Sequence, residues 1–231
     1  MTDESIPEIR LYHRWSSSSG QMLRMVLSAK GLHWNDQPCA LRDQETAFDL
    51  GYADLPVLVH ANGHKQQGSL AELAALDPHY PETPALQSGI AENEWNAFCA
   101  WRKQLTALVE RLVAPVLPAY DEIGHDDEDM VFYRNECERR FQQSIEALAN
   151  DRYGGYQQLE SRGRLRELGK LLARQRFYTG QLSLIDIVLT ADLHLLRLLD
   201  GVTIPLDLQY YFQRVAEACH ISLNDGMTRS L

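Results

Sequence analysis

The chain has 231 residues, of which 45% are hydrophobic, and a formal net charge of −10. This length and composition can bury a substantial core and argue against general disorder. The acidic balance argues against nonspecific binding to nucleic acid or to an anionic membrane surface. No apolar stretch is long enough to span a bilayer, and residues 1–5 lack the features of a signal peptide. We therefore expect a cytoplasmic protein with no membrane or nucleic-acid partner.

Neither the cysteines nor the histidines form a recognisable metal-binding pattern. The cysteines at 39, 99, 137 and 219 lie far apart, without a Cys-x-x-Cys pair. In a reducing compartment they are most simply free thiols. His60, His64 and His79 lie around one predicted hairpin, but without the spacing of metal ligands on one element. The sequence thus predicts no metal site.

A strand, a run of serines and an amphipathic helix open the chain. Ile9 and Leu11 alternate as on a half-buried strand, and the helix that follows Ser16–Ser19 ends at 30–31, Lys-Gly. Any serine of the run can cap the helix by accepting backbone N–H bonds. Hydroxyls at the positive end of a helix dipole can also stabilise an anion, for which a thiolate is suited.

The next predicted elements are short. We predict a strand at about 32–34, an irregular polar stretch, a strand at 55–60 opened by Pro56, and a strand at 64–67 after the Asn62-Gly63 turn. Ser69 then caps a helix that ends before Pro78. The segment that follows contains two prolines and no periodicity, which indicates a linker at 82–88.

Beyond the linker nearly everything is predicted to be helical. The candidate helices are 92–112, 129–150, 157–177, 183–199 and 206–219. The fourth is apolar on nearly every side, which is typical of a buried helix, and His194 on it is interpreted as a core histidine. Ser183 at its N-cap and Asp186 three residues on form an Asp variant of the capping box. We interpret Asp186 as a folding residue and not as a catalyst.

Four pieces of the sequence, taken in order, resemble the cytosolic glutathione S-transferases. The first is the serine run before the 30–31 Lys-Gly, which is close to a zeta-like N-terminal pattern. The second, at 55–58, is Leu-Pro-Val-Leu, like the family's Val-Pro-x-Leu. The third, at 68–71, is Gly-Ser-Leu-Ala, like Glu-Ser-x-Ala. The fourth, at 180–186, is like Gly-x-x-Leu-Ser-x-Ala-Asp.

The resemblance implies a fold of class α/β plus all-α. A thioredoxin-like N-terminal domain at 1–81 would be followed by the linker at 82–88 and an all-helical C-terminal domain at 89–231. The family also implies a homodimer, a cis bond before Pro56, a glutathione site on the first domain, and a site for a small hydrophobic electrophile between the domains. Glutathione would act as co-substrate, without a metal.

The resemblance also assigns the site residues. Ser17 matches the catalytic serine of zeta- and theta-like members, and Ser19 matches the cysteine of the zeta pattern, so we expect Ser17 first and Ser19 second to stabilise the thiolate. Leu55 and Pro56 would present the backbone to the glutathione cysteine, and Ser69 would bind the γ-glutamyl carboxylate. Serine at both catalytic positions disfavours a disulfide reductase, which needs a sulfur nucleophile.

The sequence departs from the family at the γ-glutamyl end of the predicted site. Gly68 replaces the usual Glu or Gln, Gln67 is the candidate substitute, and Glu72 stands where Ile is usual. Trp95 and Phe98 lie where the family places its electrophile-binding wall, although core packing is the alternative for both. The leading hypothesis is a serine-type glutathione transferase. The alternative, which Gly68 favours, is a non-catalytic scaffold of the same fold that binds a protein partner.

Overall fold

A computed structural model describes residues 8–228 of the protein. Its first part contains a mixed sheet in the order β2-β1-β3-β4, in which β1 is parallel to β2 and β3 is antiparallel to both β1 and β4. The strands are β1 (Ile9–His13), β2 (Trp34–Pro38), β3 (Val57–Val59) and β4 (Lys65–Gln67), and the helices are α1 (Ser18–Ala29), α2 (Glu45–Asp49) and α3 (Leu70–His79). This is the predicted thioredoxin-like domain.

The second part is helical, as predicted. Its helices are α4 (Glu92–Val113), α5 (Asp121–Gly124), α6 (Asp127–Phe141), α7 (Ile145–Asn150), α8 (Arg152–Gly163), α9 (Leu165–Leu172), α10 (Leu184–Leu193) and α11 (Leu206–Ala218), with 3-10 turns at Ala114–Ala119 and His194–Leu198. The two parts together confirm the α/β plus all-α fold class. The division of the chain at 82–88 stays a prediction.

Two long helices predicted in the second part are wrong as single elements. The segment 129–150 is divided between α6 and α7, and the segment 157–177 between α8 and α9. Gln142 and Arg164 stand at the breaks with φ of 55° and 51°. A residue in the left-handed region ends a helix, and at neither break is that residue the glycine that usually takes this conformation. Gly163, just before Arg164, is the last residue of α8.

Helix α3 is longer than predicted, because Pro78 lies inside its last turn. A proline has no N–H, so the carbonyl four residues earlier loses its helical partner. Here that carbonyl, on Ala74, accepts a hydrogen bond of 2.5 Å from the side-chain amide of Gln87. The linker segment thus satisfies the group that the proline leaves unpaired.

Helix α10 lies at the centre of the core and packs against both α1 and α4. Asp186 near its N-terminus is completely buried. The carboxylate accepts hydrogen bonds from the backbone N–H groups of Ser183 (2.9 Å) and Tyr178 (2.7 Å), and from the hydroxyls of Ser183 and Tyr211. These contacts confirm that Asp186 caps a buried helix, and α10 in turn supports the helix that carries the serines.

Candidate functional site

The serine segment, Ser16–Ser19, forms the N-terminus of α1. Ser17 is the N-cap residue, and its hydroxyl oxygen accepts a hydrogen bond of 3.2 Å from the backbone N–H of Gly20. The backbone N–H of Ser17 donates to the carbonyl of Arg14 at 3.0 Å. Among the four serines that the sequence left open, Ser17 therefore caps the helix.

Two of the four serine hydroxyls are held by carboxylates of the helical domain. Glu122 accepts the Ser16 hydroxyl and the backbone N–H groups of Trp15 (2.7 Å) and Ser16 (2.9 Å). The Ser18 hydroxyl donates to Asp192 at 2.7 Å, and Asp192 is itself paired with Arg102. These contacts fix the serine segment against the helices.

The other two hydroxyls, on Ser17 and Ser19, differ from these. Within residues 8–228 neither of them donates a hydrogen bond to an acceptor. Both residues are partly exposed, and both line a cavity. Their protons are thus available to a ligand, and these are the two serines that the resemblance singles out.

The cavity measures about 780 Å³ and lies between the two domains. One wall is formed by Ser16–Ser19, Asp54 and Leu55, and the opposite walls come from α4, α6 and α10. Apolar and charged side chains alternate on the helical walls, which include Trp101, Leu105, Val109, Phe141, Leu193, Arg102, Glu110 and Arg140. A molecule in this cavity would touch the serine segment on one side and a partly aromatic surface on the other.

The aromatic residue of α4 that lines the cavity is Trp101. Phe98 is buried in the core, Trp95 packs against that core, and neither belongs to the lining found within the described chain. Trp101 lies six residues after Trp95, which is a rotation of about 600°, so it faces roughly a third of a turn away from Trp95. Sequence reasoning missed Trp101, and a contact of Trp95 or Phe98 with a substrate stays a prediction.

The Leu55–Pro56 segment borders the cavity at the start of β3. Its peptide bond is cis, as predicted. The backbone N–H of Leu55 donates to the carboxylate of the preceding Asp54 at 2.8 Å, and Arg14 pairs with the same carboxylate at 3.1 Å. The N–H of Leu55, part of the backbone that the resemblance assigns to the glutathione cysteine, is therefore already bound by the side chain of Asp54.

Close packing explains why position 68 has no side chain. A Cβ on Gly68 would lie 3.0 Å from Cγ of Pro56, 3.2 Å from a methyl group of Leu23 and 3.3 Å from Cβ of Ser19. A Glu or Gln would need all three neighbours to move. The predicted substitute, Gln67, donates its side-chain amide to the carbonyl of Asp54 at 2.9 Å.

Ser69 caps α3 in a capping box with Glu72. The Glu72 carboxylate accepts the Ser69 hydroxyl (2.7 Å), the Ser69 N–H (3.2 Å) and the N–H of Gln67 (3.0 Å). Burial raises the pKa of Glu72, but the hydrogen bonds from Ser69 and Gln67 outweigh that effect, so the pKa lies below its ordinary value. Glu72 is therefore an anion at neutral pH, and it occupies both donors of Ser69, the residue that the resemblance assigns to the γ-glutamyl carboxylate.

The cysteines offer no reactive thiolate. Burial raises the pKa of the thiols of Cys39, Cys99 and Cys137, and raises that of Cys219 to about 12. Since the thiolate is the nucleophilic form, all four thiols are poorly reactive at neutral pH.

The histidines around the β3–β4 hairpin pack their rings together, and His60 among them is hydrogen-bonded at both ring nitrogens. The two ring nitrogens of His60 lie 2.6 Å from the hydroxyl of Tyr80 and 2.9 Å from the side-chain oxygen of Gln66. The rings of His64 and His79 pack against that of His60. The buried side chain of Gln66 therefore has the ring of His60 as a hydrogen-bond partner. In the part of the chain that the structure describes, no three side chains of metal-binding type converge on one point.

Residues 97–228 match the protein family described as "Glutaredoxin 2, C terminal domain". The chain belongs to the glutaredoxin 2 C-terminal domain family. The match covers the helical part and more than half of the 231 residues. A sequence search of curated proteins finds no significant relative.

Solved structures of the same fold span almost the whole chain. Glutaredoxin 2 from Salmonella typhimurium in complex with glutathione is 20% identical, with a TM-score of 0.78 over 96% of this chain and 99% of that chain. A Ceriporiopsis subvermispora glutathione S-transferase in complex with glutathione is 20% identical, with a TM-score of 0.70 over 93% and 99%. The Tau class glutathione S-transferase from mango, Mangifera indica, is 16% identical, with a TM-score of 0.67 over 97% and 94%. These similarities establish the glutathione transferase fold.

Across residues 8–228, no helix has both the length and the apolarity needed to cross a membrane.

Proposed function

We propose that the protein binds glutathione on its thioredoxin-like domain and conjugates or exchanges it on a small hydrophobic electrophile. The observation that carries the proposal is the Ser17 hydroxyl, which has no acceptor among residues 8–228 and lines the interdomain cavity at the N-terminus of α1. The proposal includes the cytoplasmic location and the homodimer expected from the sequence, and glutathione is its co-substrate.

The chemistry that this position has to supply is thiolate stabilisation. A free thiol has a pKa near 8.5, and one unit of depression needs about 1.36 kcal/mol in favour of the anion. A hydrogen bond to a charged group contributes roughly 1.5–3 kcal/mol, and a helix N-terminus adds roughly 0.3–1 kcal/mol. The hydroxyl of Ser17 alone can therefore lower the pKa of a glutathione thiol by about one to two units without a general base.

The surroundings of Ser17 support this mode of action over disulfide reduction. Two of the structural neighbours, the Salmonella glutaredoxin 2 and a Ceriporiopsis glutathione S-transferase, were solved in complex with glutathione. Disulfide exchange needs an attacking thiolate. The serine segment holds no sulfur, and the thiols of Cys39, Cys99, Cys137 and Cys219 have raised pKa values. The sulfur nucleophile of the proposed reaction is thus that of glutathione.

The helical walls suggest where the electrophile lies. Trp101, Leu105 and Val109 of α4 face the same cavity as the serine segment. An apolar molecule bound against them would lie beside the glutathione thiol near Ser17. We extend the electrophile site from Trp95 and Phe98 to Trp101 on this basis.

A second candidate function is the partner-binding scaffold. The observation in its favour is that the N–H of Leu55 and both donors of Ser69 already bind carboxylates of the protein, Asp54 and Glu72. A site that is satisfied internally has less to gain from a ligand.

Calorimetric titration with glutathione, followed by an assay with a generic aryl halide, separates the two candidates. The enzyme proposal predicts binding at or below millimolar glutathione and conjugation that Ser17→Ala slows. Absence of binding at millimolar concentration, in a protein whose unfolding transition is intact, would exclude the enzyme and leave the scaffold.

A further inference from the structure

We infer that Glu72 is an internal competitor of glutathione, because its carboxylate occupies the donors that the γ-glutamyl carboxylate would use. This inference rests on the proposed function and adds a residue that controls affinity. The occupied donors come from two elements, the end of β4 and the cap of α3, and they converge on one carboxylate.

The contact exceeds what a helix cap alone requires. A capping box needs the N3 carboxylate only at the N-cap N–H. Glu72 meets that need at the N–H of Ser69 (3.2 Å) and also takes the Ser69 hydroxyl (2.7 Å) and the N–H of Gln67 (3.0 Å). Asp186 takes the N–H and the hydroxyl of Ser183 in the same way, so the contact of Glu72 that goes beyond the box is the one with the N–H of Gln67. At the start of α4, Glu94 contacts its N-cap N–H, that of Ala91, at 3.2 Å.

A second backbone donor of the predicted glutathione site, the N–H of Leu55, is also occupied by a carboxylate of the protein. The N–H of Leu55 binds Asp54, and the side chain of Gln67 donates to the Asp54 carbonyl and so links the two places. Gly68 between them has no side chain to offer a ligand, and a Cβ there would press against Pro56, Leu23 and Ser19. The protein thus satisfies predicted glutathione contacts at Leu55 and Ser69 with its own carboxylates.

Glutathione therefore has to displace Glu72 to reach Ser69. A ligand that pairs with donors already in use gains only the difference between the new and the old hydrogen bonds. Moving the displaced carboxylate into water is possible because Glu72 is only half-buried and Ser69 is exposed. The expected result is weak binding by the natural protein and tighter binding once the internal carboxylate is removed.

Calorimetry on the full-length protein tests this with glutathione and the variants Glu72→Ala and Glu72→Gln. We expect both to bind glutathione about tenfold or more tightly than the natural protein. The Gln variant keeps an acceptor for the helix cap and removes the charge. Glu94→Gln is the matched control, since it changes the same kind of capping contact on a different helix, and it should leave affinity unchanged.

A glutathione analogue in which a 4-aminobutanoyl group replaces the γ-glutamyl group isolates the carboxylate. It lacks only the competing group, so Glu72→Ala should not improve its binding. Equal improvement for both peptides would overturn the inference. So would unchanged glutathione affinity in both Glu72 variants, which would make Glu72 a helix cap alone. Weaker binding would also overturn it, because Glu72 would then be a ligand of the glutathione ammonium group.

Amide NMR separates failure of this inference from failure of the proposed function. In Glu72→Ala, acetate should shift the amide resonances of Gln67 and Ser69, and in the natural protein it should not. If glutathione binds neither protein but acetate produces these shifts, the proposed function is wrong, and what stands is that Glu72 occupies a carboxylate-binding place without competing with glutathione. If acetate shifts neither resonance in the variant, the competition is wrong.

Discussion

Two capping boxes of the same pattern lie in opposite surroundings. Ser183 and Asp186 begin α10 and are completely buried, whereas Ser69 and Glu72 begin α3 with Ser69 exposed beside the candidate site. In both, the carboxylate accepts the hydroxyl and the N–H of the cap serine. The local motif therefore fixes the same hydrogen bonds twice, and the surroundings decide whether the carboxylate is a permanent part of the fold or can be exchanged.

The surroundings also set the charge state. Burial raises the pKa of Asp186 despite four opposing hydrogen bonds, two of which come from Tyr178 and Tyr211 outside the box. The pKa of Glu72 is lowered, because its hydrogen bonds lower the pKa by more than burial raises it. Ionised Asp186 is stabilised only by its fixed partners, whereas Glu72 can also be hydrated.

Removing the side chain of Asp186 should have the largest effect on stability and tests the role of the buried capping box. Asp186→Ala would leave the N–H groups of Ser183 and Tyr178 and two hydroxyls without their acceptor, so we expect the free energy of unfolding to fall by about 3 kcal/mol or more. Ser183→Ala should cost about 1 kcal/mol. Urea unfolding measures both values. Unchanged stability in Asp186→Ala would contradict a structural role for the buried box.

A second buried group on the same segment tests the core through pH. His194 donates Nδ1–H to the carbonyls of Thr190 and Ala191, and burial lowers its pKa to about 4 from 6.5. A lowered histidine pKa stabilises the fold above pH 6.5, and this contribution is lost as the pH falls towards 4. The loss amounts to about 3 kcal/mol for this shift.

The variant His194→Gln should therefore flatten the fall in unfolding free energy between pH 6.5 and pH 4. The matched control is His33→Gln, since His33 is exposed and should leave the profile as it is. A profile that is equally steep in His194→Gln would assign the acid sensitivity to other groups.

The exposed box should respond much less. Glu72→Ala removes a surface cap, so we expect a loss of about 1 kcal/mol or less, together with the tighter glutathione binding argued above. Thermal unfolding and calorimetry on the same samples give both numbers. A loss as large as that of Asp186→Ala would show that the two boxes are equivalent, and the comparison would fail.

Local motifs made the fold predictable. The capping box at Ser183, the cap at Ser69 and the proline at 56 each act on neighbouring residues, and each was found where it was predicted. The breaks at Gln142 and Arg164 were not predicted, because a residue other than glycine takes the left-handed conformation at each of them. Pro78 does not end the helix where the sequence predicts. The side chain of Gln87, nine residues further along the chain, donates to the carbonyl of Ala74, which the proline leaves without a helical partner.

The site depends on contacts that no local pattern contains. Glu122 and Asp192 reach the serine segment across 106 and 174 residues of sequence. They engage Ser16 and Ser18 and leave the hydroxyls of Ser17 and Ser19 without an acceptor among residues 8–228. Gly68 was recognised from sequence as a departure, but its reason, the close approach of Pro56 and Ser19, required the three-dimensional structure.

The role of Ser17 is tested most directly by the pKa of the glutathione thiol in the bound state, measured by thiolate absorbance during a pH titration. We expect Ser17→Ala to raise this pKa by about one to two units, because roughly 1.5–3 kcal/mol of thiolate stabilisation is removed. Ser19→Ala should raise it less, and Ser28→Ala, near the other end of α1, should not change it. Glutathione affinity should change little in Ser17→Ala. An unchanged pKa in Ser17→Ala, or a rise confined to Ser19→Ala, would contradict the assignment of Ser17.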